Sequence, residues 1–180
     1  MKKIIAILIM ITNLYSFDNN IIIKTMGKEN FSCVTPKGFK YKIVSDDIIE
    51  IYSEKVILSF GKHFILKNDK IIDNLYLNEL HIMKYGKNLD SFVEKELNFK
   101  HFKNITSSYV ELTDKNLIGK PIVKNDWKYY TRGLIAKNST FFSFYILTNN
   151  QSSPDYLEII KMLENGHFIS KDEVNKTRNN

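Results

Sequence analysis

The chain has 180 residues, enough for one ordinary domain and short of two. It is 43% apolar and 26% charged with only 7 Gly and 3 Pro, which excludes disordered, collagenous and low-complexity classes and points to a packed core. The net charge of +6 rests almost wholly on lysine, since Arg132 and Arg178 are the only arginines; few forked guanidinium groups are present for phosphate or base recognition, and nucleic acid is not an expected partner.

Ala occurs only at Ala6 and Ala136 while Lys, Asn and Ile abound, a skew that looks like AT-rich codon usage and makes much of the positive charge background. Acidic residues are interspersed with the lysines, so no long single-sign stripe forms.

Lys2 and Lys3 followed by the apolar run Ile4 to Ile11 read as a secretory signal, with cleavage expected between Ser16 and Phe17. The apolar run is shorter than the roughly 20 residues of a membrane span; the alternative is an uncleaved anchor. No Cys follows it closely enough to carry a lipid. The resulting organisation is a signal over 1–16, an extension over 17–30, one globular domain over 31–168 and a fraying tail over 169–180.

From Phe31 to Lys84 β-branched and aromatic runs alternate with short polar breaks, predicting successive strands at Phe39–Val44, Ile48–Tyr52, Val56–Phe60, His63–Leu66 and Leu75–Lys84. Thr35-Pro36-Lys37-Gly38 reads as a turn with Pro second and Gly fourth, and Asn68-Asp69 as a hairpin tip. Asp90 as a cap, with Phe92, Val93 and Leu97 on one face, predicts a helix over about 90–103.

Strands are expected again at Tyr109–Leu112, Pro121–Val123, Asp126–Ala136 and Thr140–Thr148, the last two joined around Lys137-Asn138. Phe141 to Ile146 is apolar except at Ser143, so both faces of that strand call for cover. A final helix over about 154–165 is delimited by Ser153 as cap, Pro154 in the first turn and Gly166 as a left-handed stop, with Tyr156, Ile160 and Leu163 inward and Phe168 folding back.

The opening Phe31-Ser32-Cys33-Val34-Thr35-Pro36-Lys37-Gly38-Phe39, the strands after it, a helix at 90, a long hairpin and a closing helix near Phe168 resemble the PsbP-like fold. That group includes photosystem extrinsic proteins and bacterial DcrB-like envelope proteins. The resemblance implies an α+β, predominantly antiparallel sheet covered by helices (an α/β/α sandwich) and a role in docking to envelope or membrane assemblies, with no catalytic constellation. This chain departs from the group in lacking a lipid-anchoring Cys and in carrying Phe39 where Trp is frequent.

Chemistry-bearing motifs are sparse. Cys33, the only cysteine, could serve as a nucleophile with a distant His, but its place between Ser32 and Val34 in a strand reads as a buried core thiol. His63, His81, His101 and His167 contain no pair at metal-ligand spacing, and neither a metal nor another cofactor is expected. Asp46-Asp47 reads as a solvated turn. Asn30, Asn104, Asn138, Asn150 and Asn175 begin Asn-x-Ser/Thr triplets; Asn175, preceded by Glu173 in the tail, is the candidate acceptor for glycosylation.

In the strip Asp126 to Gly133, Trp127, Tyr129 and Thr131 share one strand face while Lys128, Tyr130 and Arg132 share the other. An Arg beside a Tyr has the composition of a binding hot spot, which makes Lys128, Tyr130 and Arg132 the candidate binding residues. The sequence thus points to an exported, periplasmic or secreted accessory or binding protein of the cell envelope that acts on an envelope protein or membrane assembly. A secreted thiol-dependent or hydrolytic enzyme and a periplasmic inhibitor or immunity protein are the alternatives.

Overall fold

The structure is a computed structural model that describes residues 20–23, 29–45, 48–65, 91–138 and 140–172. In chain order it forms β1 (Asn20–Ile23), β2 (Glu29–Val34), β3 (Lys40–Ser45), β4 (Ile48–Tyr52), β5 (Val56–Ile65), β6 (Ser107–Thr113), β7 (Tyr129–Lys137), β8 (Thr140–Thr148), α1 (Pro154–Glu164) and β9 (His167–Ser170). All strand pairings are antiparallel. They build a three-stranded sheet in the order β1-β2-β9 and a six-stranded sheet in the order β3-β4-β5-β8-β7-β6.

The period-two alternation of strand side chains decides which residues meet. Leu58 pairs with Ile146 and Ile146 with Thr131; Phe60 pairs with Phe144 and Phe144 with Gly133, so these residues share one face of the large sheet. That face is buried against Tyr156, Ile159, Met162 and Leu163 of α1 and against Ile21, Ile23, Phe31 and Cys33 of the small sheet. Phe31 is the hinge of this core: its ring lies 4.8 Å from Phe142 and 5.5 Å from Phe168, centroid to centroid. Burying a side chain of that size completely contributes roughly 1.5–3 kcal/mol.

Gly133 is required by packing. A Cβ there would come within 2.5 Å of the Tyr109 Cβ and collide with the Phe144 ring, so the two aromatics close over a bare backbone. On the opposite sheet face, Val110, Leu112 and Tyr130 pack under Phe92, Leu97 and Phe99.

The closing helix forms as its caps dictate. Ser153 Oγ accepts the Tyr156 N–H at 3.3 Å, Pro154 occupies the first turn and Asp155 favours the positive helix end. Its termination differs from expectation: the C-cap is Asn165 at φ −91°, and Gly166 is not in the left-handed region. Gly166 is needed because the Phe31 ring occupies the space of a Cβ.

Other expectations are corrected. Ser91 ends a 3-10 turn and residues 92–103 are not helical; they run along β6 with bridges Phe92↔Asp114 and Lys100↔Tyr109, because Phe92, Leu97 and Phe99 gain more from the sheet face than from a helical stripe. Pro121–Val123 is loop, and Trp127 and Lys128 precede β7. β5 is one strand whose register breaks between Phe60 and His63, where two strands were expected. The turn after β2 is shifted by one residue: Phe39 N–H donates to Pro36 O at 3.2 Å, which puts Gly38 third, at φ 89°.

Antiparallel sheets with one complete helix thus make up the described fold. The span assigned to an amino-terminal extension supplies β1 and the start of β2, and β9 continues past Phe168. The signal and its Ser16/Phe17 junction, Asp46-Asp47, Asn68-Asp69, Leu75–Lys84 with His81, Asp90 and Asn175 lie outside the described residues.

Candidate functional site

Tyr130 and Arg132 stand on the same face of β7, as the strand period requires, and both are half-buried. Tyr130 stacks between Tyr145, at 5.9 Å, and Phe92, at 6.2 Å, and burial foremost raises its pKa, with Arg132 acting to lower it. Its ring is therefore part of the packing beneath the 91–100 segment. Lys128 lies apart from this pair: it caps the loop before β7, where its N–H donates to Asn149 Oδ1 at 2.8 Å and its ammonium sits 5.2 Å from the Tyr129 ring.

Cys33 is 2% exposed, and burial pushes its thiol up to about 12. A nucleophilic cysteine needs the opposite shift. Across the small sheet His167 pairs with Ser32, one residue away from Cys33, and is exposed; His101 Nδ1 is engaged with Ser107 O at 2.5 Å. No group of three potential metal ligands occurs among the described residues. No helix among them is long and apolar enough to cross a membrane.

The two outer strands of the large sheet differ in a way that the sequence does not announce. At β6 the outward backbone groups of Tyr109 and Thr113 are engaged: Lys100 and Tyr109 exchange N–H···O bonds of 2.8 and 2.9 Å, and Val93 N–H donates to Thr113 O at 3.0 Å. The Glu94 carboxylate completes the seal by accepting the Thr113 N–H at 2.7 Å and the Thr113 hydroxyl at 2.8 Å. At β3 every residue from Lys40 to Ser45 is exposed, and no strand lies outside it among the described residues. Tyr41, Ile43 and Val44 are 40%, 41% and 51% exposed.

Residues around β3 give this edge shape and charge. Val44 falls in a register break between Ile43 and Ser45 and has no partner on β4. Lys42 pairs with Glu50 at 2.8 Å, and Lys37 and Lys40 are exposed beside it. A groove of about 500 Å³ opens at the Lys40 end, lined by Tyr52, Lys55 and Asp155 among others, and Ser53 Oγ donates to Asp155 Oδ2 at its base. A second groove, of about 440 Å³, lies across the Pro36–Phe39 turn between Lys37 and Lys161. Sequence reasoning did not single out β3, because Lys-Tyr-Lys-Ile-Val reads the same in a central strand as in an outer one.

Comparison with models of known families, with curated proteins and with solved structures finds no match in any of the three.

Proposed function

We propose that this is an exported, non-catalytic binding protein of the cell envelope, which takes up an extended, acidic segment of a partner protein along β3. The observation that carries the reading is the contrast, among the described residues, between a β6 engaged by the 93–100 segment and a β3 with no strand outside it. An outermost strand can take up an added strand through its backbone, and adjacent grooves supply side-chain selectivity. Lys37 and Lys40, exposed at the start of β3, favour a partner strand bearing carboxylates.

Export rests on the Met1–Ser16 pattern, and cleavage after Ser16 keeps β1 whole. The PsbP-like α/β/α arrangement is part of this proposal; Ser59, Leu134 and Ala136, buried on the sheet face away from α1, support a cover on that side too. Buried Cys33 weighs against the thiol-enzyme alternative. An inhibitor or immunity protein would use the same strand with a toxin as its partner.

The test is site-specific photo-cross-linking from Lys40 in intact cells, with Val44→Pro as the control. Val44 has no partner in the β4 register, so the proline ring obstructs an incoming strand and leaves the β3–β4 ladder in place. Cross-links to an acidic, extended segment should vanish in the variant at unchanged melting temperature. Parental yield from folded Val44→Pro would remove β3 from the functional account.

A further inference from the structure

The connection from β6 to β7 spans residues 114–128, far longer than the about 2–5 residues of ordinary hairpin loops. It is nonetheless built. Asp114 N–H donates to Lys128 O at 2.8 Å, and Asp114 Oδ1 caps a short 3-10 turn at Lys115–Leu117. On the return side Asp126 N–H donates to Val123 O at 3.0 Å, and Asn149 Nδ2 holds Asp126 O at 2.8 Å. The Asp114 carboxylate is thereby used at the base of the loop, and the Asp126 carboxylate accepts the Val123 N–H at 3.4 Å.

The apex held between these turns is apolar and basic. Ile118, Ile122 and Val123 are 51%, 41% and 61% exposed, three of the nine large hydrophobics exposed among the described residues. Lys115, Lys120 and Lys124 interleave with them, and no acidic residue stands between Lys115 and Asn125. Ordering such a tip without burying it gains nothing within the chain, so its apolar residues await an external phase.

We propose that the β6–β7 loop docks on an anionic phospholipid bilayer, with Ile118, Ile122 and Val123 entering the acyl boundary and Lys115, Lys120 and Lys124 meeting headgroup phosphates. The composition selects lipid over protein. The apex offers aliphatic side chains and flexible ammonium groups that can reach sideways to a phosphate plane, and lacks the Trp, Tyr and Arg anchors that dominate protein interfaces. Lysine clusters supply attraction to an anionic leaflet, and a few inserted aliphatics hold the contact reversibly.

The test is co-sedimentation of the full chain with phosphatidylglycerol–phosphatidylcholine vesicles and with phosphatidylcholine vesicles alone, for the parent, Ile122→Asp/Val123→Asp and Lys120→Gln/Lys124→Gln. All four substituted side chains are exposed, so melting temperatures should be unchanged. The parent should bind the anionic vesicles, and each variant should lose about tenfold or more in partitioning. The amino-terminal apolar stretch is common to all three chains. A second readout isolates the loop: Trp127, the only tryptophan, adjoins it, and its emission should shift with anionic vesicles in the parent alone. Equal partitioning and equal emission in parent and variants would overturn the proposal, as would indifference to lipid charge.

Discussion

The Tyr156 hydroxyl donates to Glu111 Oε1 at 2.9 Å, joining the first turn of α1 to the outer strand β6. Thr131 Oγ1 lies 2.9 Å from the same phenol oxygen, and since the phenol proton goes to Glu111, the threonine hydroxyl donates to it. Glu111 is in turn paired through Oε2 with Lys100 at 2.5 Å. One phenol thus fastens the helix to the sheet and, through Glu111 and Lys100, to the segment that seals β6.

Tyr156→Phe keeps the ring and removes the fastening. Thr131 is buried and loses its acceptor, so the variant should be less stable by about 1–2 kcal/mol, read as a lower urea midpoint at unchanged slope. Thr131→Val in the same background should cost little more, because the two changes remove the same bond. Additive losses would show that the two hydroxyls act independently.

Gly166 and Phe31 should be coupled in the same sense. Gly166→Ala places a methyl group where the Phe31 ring sits and should destabilise by about 1–3 kcal/mol through overpacking. In the Phe31→Leu background the added methyl has room, and the penalty should shrink to well under half. A penalty that is the same in both backgrounds would mean that backbone conformation at residue 166, rather than the ring, sets the requirement.

Cys33 predicts an alkaline limit to stability. Burial raises its thiol from an ordinary 9.0 to about 12, and burial likewise is the leading cause that raises the pKa values of Tyr156, Tyr130 and Tyr109 above 10.0. Below the unfolded values both states hold these protons, and the contribution to stability is fully present. As pH rises past about 9 for the thiol and about 10 for the phenols, the unfolded chain ionises first and stability falls, by up to about 1.4 kcal/mol per pH unit per group. Urea midpoints should therefore bend downward above pH 9, with a shallower bend in Cys33→Ala. Native protein at pH 8 should resist iodoacetamide until it unfolds; labelling at the rate of a free thiol would contradict the buried placement.

The sequence carried the local chemistry of this fold and little of its assembly. Ser153, Pro154 and the apolar spacing after them mark α1 because caps and helical periodicity are properties of neighbours in the chain. Asn138, at φ 53°, marks the β7–β8 hairpin for the same reason. Phe92, Val93 and Leu97 misled because their spacing fits a helix, while Phe92 and Leu97 pack on Val110, Leu112 and Tyr130, more than ten residues away, and Val93 stays exposed. β1 and β9 were missed as strands since each is four residues long and is defined by its pairing with β2. Nothing local distinguishes β3, with no strand outside it among the described residues, from β6, and the exposed Pro121–Val123 reads as a strand until its lack of a pairing partner among those residues is seen.

A sheet with one closed and one open side has a valency of one. Among the described residues, the Glu94 carboxylate and the Lys100 backbone occupy β6 at Thr113 and Tyr109, whereas no strand lies outside β3. Growth from both flanks, as a fibre requires, would first need the 93–100 segment to leave β6.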